Sequence, residues 1–154
     1  MSIPPSTRES VMTALLAKLT PLSPNTFPTV SRKLRMWDDV GAEQQPALFM
    51  VEHTEKALAV PRGLPRKAEW DVMLFIYARA DGEGTVGATT LNNLLDAVEA
   101  ALGLDPGTAK TTPNNVLTLN GTVYRIWAEG DIIKDPGDLE GQCLALYPIK
   151  IRPP

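Results

Sequence analysis

The chain is poor in the residues from which catalytic and metal sites are usually made, with one cysteine and one histidine in 154 residues. A single thiol excludes an internal disulfide framework. Cys143 sits inside an apolar alternation and reads as a buried packing residue, which fits a protein made in a reducing compartment. His53 stands between Glu52 and Thr54 with Glu55 close behind. Imidazole and carboxylates are the material of a metal site or a general base, but no second histidine or spaced partner motif accompanies them. The position therefore reads as a surface residue at a strand end.

Other scarcities set further bounds. Residues 1–9 lack the basic start and apolar core of a signal peptide, and no apolar run approaches the length that spans a bilayer. The expectation is a soluble protein not exported by that route. Without such a signal, the glycosylation match at Asn120-Gly121-Thr122 carries no weight. Neither charge dominates: the net charge is -3 and the pI about 5.2, so the molecule as a whole makes no electrostatic case for binding nucleic acid. No internal repeat or low-complexity tract is present. At 154 residues the expectation is one domain spanning 1–154, able to bury roughly two thirds of its unfolded surface without a metal or disulfide staple.

What the chain does have is proline, 14 of 154 residues against an ordinary usage of roughly 5%. The prolines cluster between the periodic segments, giving stiff connections suited to holding loops at fixed angles. Residues 69–79, Glu-Trp-Asp-Val-Met-Leu-Phe-Ile-Tyr-Ala-Arg, form the one long apolar run free of both glycine and proline. Their length and β-branched and aromatic content predict a strand. Val72, Leu74, Ile76 and Ala78 would cover one side of it, and Met73, Phe75 and Tyr77 the other. A strand apolar on both faces belongs in the middle of a sheet.

Around this strand the chain reads in order. Ser6 and Glu9 make a capping box before Val11, Met12, Leu15, Leu16 and Leu19 at helical spacing, predicting a helix over 7–19 that stops at Thr20-Pro21. Residues 22–28 form a proline-rich linker. Residues 29–37 alternate weakly and predict a short charged strand near a sheet edge, its Arg32, Lys33 and Arg35 reading as a solvated face. A strand follows over 47–51, and then a long basic connection over 56–67 carrying Arg62, Arg66 and Lys67.

After the central strand, Gly82, Gly84 and Gly87 match the spacing of a dinucleotide-binding loop. Asp81 and Glu83 would set negative charge beside a pyrophosphate, and no strand ending in a ribose-binding acid follows. A strand-to-helix connection accounts for the same glycines. Thr89 or Thr90 is expected to cap a second helix with the stripe Leu91, Leu94, Leu95, Val98 and Leu102, ended by Gly103. A polar loop over 105–115 leads to a hairpin whose turn is Asn120-Gly121 and whose second strand runs over 122–127, Val123, Arg125 and Trp127 opposing Tyr124 and Ile126. Ile132 and Ile133 are expected to continue or add to this ladder. Asp135, Asp138 and Glu140 lie in an acidic turn-rich loop. Residues 143–151 alternate as a last strand, where Pro148 predicts a border position or a bulge.

This order describes an α/β (α+β) single-domain sandwich with a mostly antiparallel mixed sheet and two helices packed on it. Two helices cover one face, while the central strand asks for cover on both, so copies of the chain are expected to assemble.

Several blocks also resemble a known family: Thr-Val-Ser-Arg-Lys-Leu-Arg-Met-Trp-Asp-Asp-Val over 29–40, Gln45-Pro-Ala-Leu-Phe49, Arg62-Gly-Leu-Pro65, Thr-Leu-Asn-Asn-Leu-Leu-Asp-Ala-Val-Glu-Ala-Ala-Leu over 90–102, Leu119-Asn-Gly121 and Trp127-Ala-Glu-Gly130. In this fixed order they look like the tail terminator, or tail completion, proteins of long-tailed bacteriophages and prophages. The resemblance implies a non-enzymatic structural protein without a cofactor or metal, made in the bacterial cytoplasm and placed in the virion tail. It would form a hexameric ring on the tail tube protein, stop tube elongation and meet the neck or head completion protein, with DNA only passing through the ring. Interface candidates are Arg32, Arg35 and Trp37, the basic Arg62, Arg66 and Lys67, and the acidic Asp135, Asp138 and Glu140, with basic and acidic loops meeting across a subunit boundary. The alternatives are a small nucleotide-binding module or enzyme using the Gly82 and Gly87 loop, and a head-to-tail joining neck protein that contacts DNA.

Overall fold

The computed structural model describes residues 7–64, 67–80, 82, 84, 86–103, 119, 123–137 and 141–153. The order is helix α1 (Thr7–Leu19), strands β1 (Thr29–Ser31), β2 (Ala47–Leu58) and β3 (Lys67–Arg79), helix α2 (Gly87–Leu102), and strands β4 (Arg125–Ala128), β5 (Ile133–Asp135) and β6 (Gln142–Arg152). The fold is α+β. Two helices lie on a mixed sheet of six strands that curls into a half-barrel, in the order β1-β2-β3-β6-β4 with β5 also on β6. Among the described strands only the β1–β2 pair is parallel.

The long apolar run becomes β3, and it holds the centre of the sheet between β2 and β6. Its even-numbered residues Val72, Leu74, Ile76 and Ala78 point to the helix side and are buried, with Trp70. Val11, Met12, Leu15 and Leu19 of α1 and Leu91, Leu94, Leu95, Val98 and Leu102 of α2 close over them. Cys143, Ala145, Tyr147, Ile149 and Ile151 of β6 join the same core at every second position. Each fully buried aliphatic side chain here contributes roughly 1.5–3 kcal/mol. Burial raises the Tyr147 hydroxyl well above its ordinary pKa, and so does Glu99, whose Oε1 accepts its hydrogen bond at 3.1 Å. The buried phenol is thereby satisfied from α2.

Both helix ends follow from local chemistry. At the end of α1, Pro21 stands in a single 3₁₀ turn, Thr20–Leu22, and the Thr20 hydroxyl donates to the Leu16 carbonyl at 2.9 Å. At the end of α2, Gly103 takes a left-handed φ of 73°, and its N–H bonds the Ala100 carbonyl at 3.1 Å.

The fold departs from expectation where polar residues hide a strand or a backbone approach. The strand expected over 29–37 stops at Ser31, because the Ser31 hydroxyl accepts from the Lys33 amide at 3.0 Å and bends the chain out of the ladder. The strand expected over 47–51 runs on to Leu58, paired with β3 along its length, so the connection expected over 56–67 shrinks to the residues between two paired strands. His53 consequently lies within β2 at a β-bulge, not at a strand end. Helix α2 begins at Gly87 itself, and Val86 holds its N-cap without a side-chain bond, so neither Thr89 nor Thr90 caps it. Instead the Thr90 hydroxyl donates back to the Val86 carbonyl at 3.4 Å.

The second expected hairpin strand is also shifted, with β4 starting at Arg125. Val123 is buried in the helix-side core and Tyr124 is exposed, so the alternating faces begin only with Arg125 and Trp127 against Ile126. Strand β6 is interior, flanked by β3 and by β4 with β5. Pro148 is accommodated because it falls between the stretch paired with β5, which ends at Leu146, and the stretch paired with β4, which starts at Ile149. The Ser6 cap, the 105–115 loop and the Asn120-Gly121 turn lie outside the described residues.

Candidate assembly surface

The sheet face away from the helices is set by the odd-numbered residues of β3 and the even-numbered residues of β6. Met73 lies opposite Pro148, Phe75 opposite Leu146, and Tyr77 opposite Leu144. Ala47, Phe49 and Val51 of β2 extend the row through their pairing with Tyr77, Phe75 and Met73, and Ile133 of β5 adds to it beside Leu146. Among the described residues only one end of this face is covered. The segment over 32–46 crosses it there, burying Val40 against Ala47, Phe49 and Tyr77. Val51, Met73, Phe75, Leu144, Leu146 and Pro148 are left half-buried.

The covering segment is fixed by polar bonds. Tyr77 donates its hydroxyl to the Arg35 carbonyl at 2.8 Å, and burial raises that phenol above its ordinary pKa. The Arg35 guanidinium stands 5.9 Å from the centre of the Phe49 ring, itself tilted against Tyr77 at 5.3 Å. The side chains of Gln45 and Gln142 bond each other. Leu34, Met36 and Trp37, carried outward on this segment, are exposed.

Beyond Met73 and Pro148 the same face turns charged. Lys150 Nζ lies 2.9 Å from Asp71, 3.1 Å from Glu69 and 3.8 Å from Glu129, and Arg152 reaches Glu69 at 3.5 Å. Hydrogen bonds to Asp71 and then Glu69 hold the Lys150 ammonium above its ordinary pKa. Burial pushes Asp71 upward, but hydrogen bonds from Lys150 and Thr54 outweigh it and leave that carboxyl below its usual range. A cleft of about 300 Å³ opens here, lined by His53, Asp71, Met73, Glu129, Pro148 and Lys150 among others. With its carboxylates already bonded to Lys150, this patch works as a structural ion-pair network. Among the described residues no group of three or more His, Cys, Asp or Glu is placed to hold a metal ion, and no helix is long and apolar enough to cross a membrane.

The expected interface residues separate into three situations. Arg32 is engaged within the chain, donating to Glu9 at 2.6 and 2.9 Å and to Glu52 at 3.4 Å, and its bonds draw the Glu9 carboxyl below the usual range. Arg35 is a partly buried brace over Phe49. Trp37, Arg62 and Lys67 are exposed, and so is Asp135, whose carboxylate accepts from the Gly137 amide at 3.0 Å. Arg66, Asp138 and Glu140 lie outside the described residues. Arg62 and Lys67 belong to the β2–β3 tip, while Asp135 pairs with Leu144, itself opposite Tyr77. Lys67 and Asp135 therefore stand at opposite ends of the sheet.

The glycine loop has a packing explanation. Gly87 is buried, and a Cβ there would run into the Pro136 carbonyl and meet Cys143 Sγ at 3.0 Å. Its missing side chain admits the backbone that leaves β5. Asp81 and Glu83 lie outside the described residues.

Sequence reasoning missed Lys150 and its carboxylates, the Gln45–Gln142 pair and the second apolar row of β6. For the last a signal existed: Leu144 and Leu146 make the start of that strand apolar on both faces, as in β3. No protein-family model matches the chain, and no curated protein does.

Proposed function

We propose that this protein is a non-enzymatic structural subunit that assembles with copies of itself, and that it acts as a tail terminator of a long-tailed phage or prophage. In this reading a closed ring, hexameric as in the family it resembles, caps the tail tube and stops its elongation. The ring's outer surface receives the neck or head completion protein while DNA passes through the lumen. It is assembled in the bacterial cytoplasm and ends in the virion tail. The observation that carries the reading is the half-exposed apolar row of Val51, Met73, Phe75, Leu144 and Leu146 in the middle of the sheet. A contiguous row of this kind is a liability for a monomer and ordinary for a subunit. A ring needs two different patches on each subunit whose rotation closes. The blocks over 29–40 and 90–102 add the resemblance that selects a tail terminator among ring proteins.

Mass measurement of the purified protein across concentration, followed by negative-stain imaging with and without tail tubes, tests this. Rings in solution, or caps at tube ends, are expected. A protein that stays monomeric at every concentration and leaves tube ends bare overturns the reading.

A further inference from the structure

Resting on that self-assembly reading, we infer that the tip of the β2–β3 hairpin of one copy docks on the Met36, Trp37, Asp38 and Asp39 segment of the next. The tip presents one apolar side chain among cations: Leu64 is 56% exposed, with Arg62 and Lys67 exposed beside it. The segment presents the complement, with Met36 65% and Trp37 42% exposed next to the exposed carboxylates of Asp38 and Asp39. An apolar knob beside cations thus meets an apolar patch with two carboxylates on its C-terminal side, Arg35 on the other side being drawn over Phe49, so the hydrophobic and charged parts of the contact are complementary.

The charges at these two places are unspent. Among the described residues Arg62, Lys67, Asp38 and Asp39 enter no ion pair, whereas Arg8, Arg32, Lys150 and Arg152 all do. The two surfaces cannot meet within one chain. The segment is anchored at Tyr77 through the Arg35 carbonyl, and Lys67 begins the same strand at its other end, roughly 30 Å away at the rise of an extended chain. The segment is held in the 3₁₀ turn Trp37–Asp39 with the amide bonds of Gln45 behind it, and Arg62 and Leu64 follow the last pair of the hairpin, Leu58 with Lys67. A contact between unlike patches is the heterologous kind that propagates around a ring.

Cysteine cross-linking locates the contact. Met36→Cys and Leu64→Cys proteins, with the buried Cys143 retained, are oxidised separately and as an equimolar mixture. The mixture is expected to give disulfide dimers that neither protein gives alone, and the doubly substituted chain a ladder of multimers. Arg62→Glu with Lys67→Glu is expected to weaken association about tenfold or more, as is Asp38→Lys with Asp39→Lys, and mixing the two reversed proteins to restore it. If wild-type protein associates but the mixture cross-links no better than its components, this contact is wrong and the assembly reading survives through other surfaces. A wild type that associates under no condition overturns both. Duplex DNA that binds the wild type but not the tip variant, in the absence of cross-links, reassigns the tip to nucleic acid and overturns the contact.

Discussion

Gln45 and Gln142 exchange amide hydrogen bonds across the sheet, Gln45 Nε2 donating to Gln142 Oε1 at 3.3 Å and Gln142 Nε2 donating back to Gln45 Oε1 at 3.2 Å. Gln45 also donates to the Val40 carbonyl at 3.1 Å, and Gln142 to the Ala78 carbonyl at 3.0 Å. This pair fastens the covering segment to the start of β6 and so fixes where Met36 and Trp37 are presented. Truncating either amide strands the other in a largely buried place. Gln45→Ala and Gln142→Ala are each expected to cost about 1–3 kcal/mol in denaturant unfolding. The double variant should cost less than the sum, by about 1 kcal/mol of coupling. Strict additivity would show that the two amides do not act as a unit.

Gly87 and Gly84 separate packing from backbone freedom within one short loop. A Cβ on Gly84 meets nothing within 4 Å, but its φ of +76° is left-handed. Gly84→Ala is therefore expected to cost only about 1 kcal/mol. At Gly87 the Pro136 carbonyl occupies the place of the missing side chain. Gly87→Ala must push α2 away from the backbone that follows β5, at a cost of about 1–3 kcal/mol or more. Equilibrium unfolding of the two variants gives the order. A larger cost at Gly84 would mean that Gly87 is not needed for close approach.

The Lys150 network predicts a pH dependence whose sign follows from its two ends. The folded pKa of Asp71 lies below its unfolded value, so the stability it contributes is present above the unfolded value, near pH 4, and lost as pH falls through the folded one. The folded pKa of Lys150 is raised, so its contribution is fully present below about pH 10 and disappears only in strong alkali. Unfolding free energy should therefore be flat across neutral pH and fall below about pH 4. In Lys150→Met the acid-side fall should shrink, because Asp71 loses the hydrogen bond and charge of Lys150 that hold its carboxyl low. An unchanged acid limb in that variant would remove the network from the acid response.

The sequence disclosed the parts of the fold in which hydrophobic spacing decides the structure. Residues 7–19, 69–79 and 143–151 carry helical or alternating apolar patterns, and they form α1, most of β3 and most of β6. It concealed the second half of β2, where Glu52, Thr54, Glu55 and Lys56 have the composition of a loop and owe their strand geometry to the β3 ladder. Partnership also hid the place of Pro148, since an interior strand tolerates proline only where its neighbours leave a gap, and that gap is made by residues far along the chain. The covering segment was least legible. Its residues from Met36 to Gln45 have no periodicity, and their position rests on a few bonds, that of Tyr77 to the Arg35 carbonyl and the paired amides of Gln45 and Gln142. The half-exposed apolar face is visible in part, because Met73, Phe75 and Tyr77 mark it within one run, whereas Leu144 and Leu146 sit in a strand whose other face carries the stronger pattern.

Leu146 is where that face is best probed. It pairs with Phe75 on one side and Ile133 on the other, midway along the half-exposed row and away from the helix-side core. Leu146→Glu places a charge where a neighbouring subunit would cover the sheet, and in the isolated chain that carboxylate still reaches water. Folding stability should therefore change by no more than about 1 kcal/mol. Association should fall much further, because burying an unpaired carboxylate in an apolar interface costs several kcal/mol. Ile76→Glu, on the opposite face of β3 and fully buried, supplies the contrast, since it should abolish folding itself. Sedimentation of Leu146→Glu alongside wild type, with unfolding measured on the same samples, checks both halves. If Leu146→Glu associates as tightly as wild type, the apolar row is not where the copies meet, and its cover must be sought within the chain.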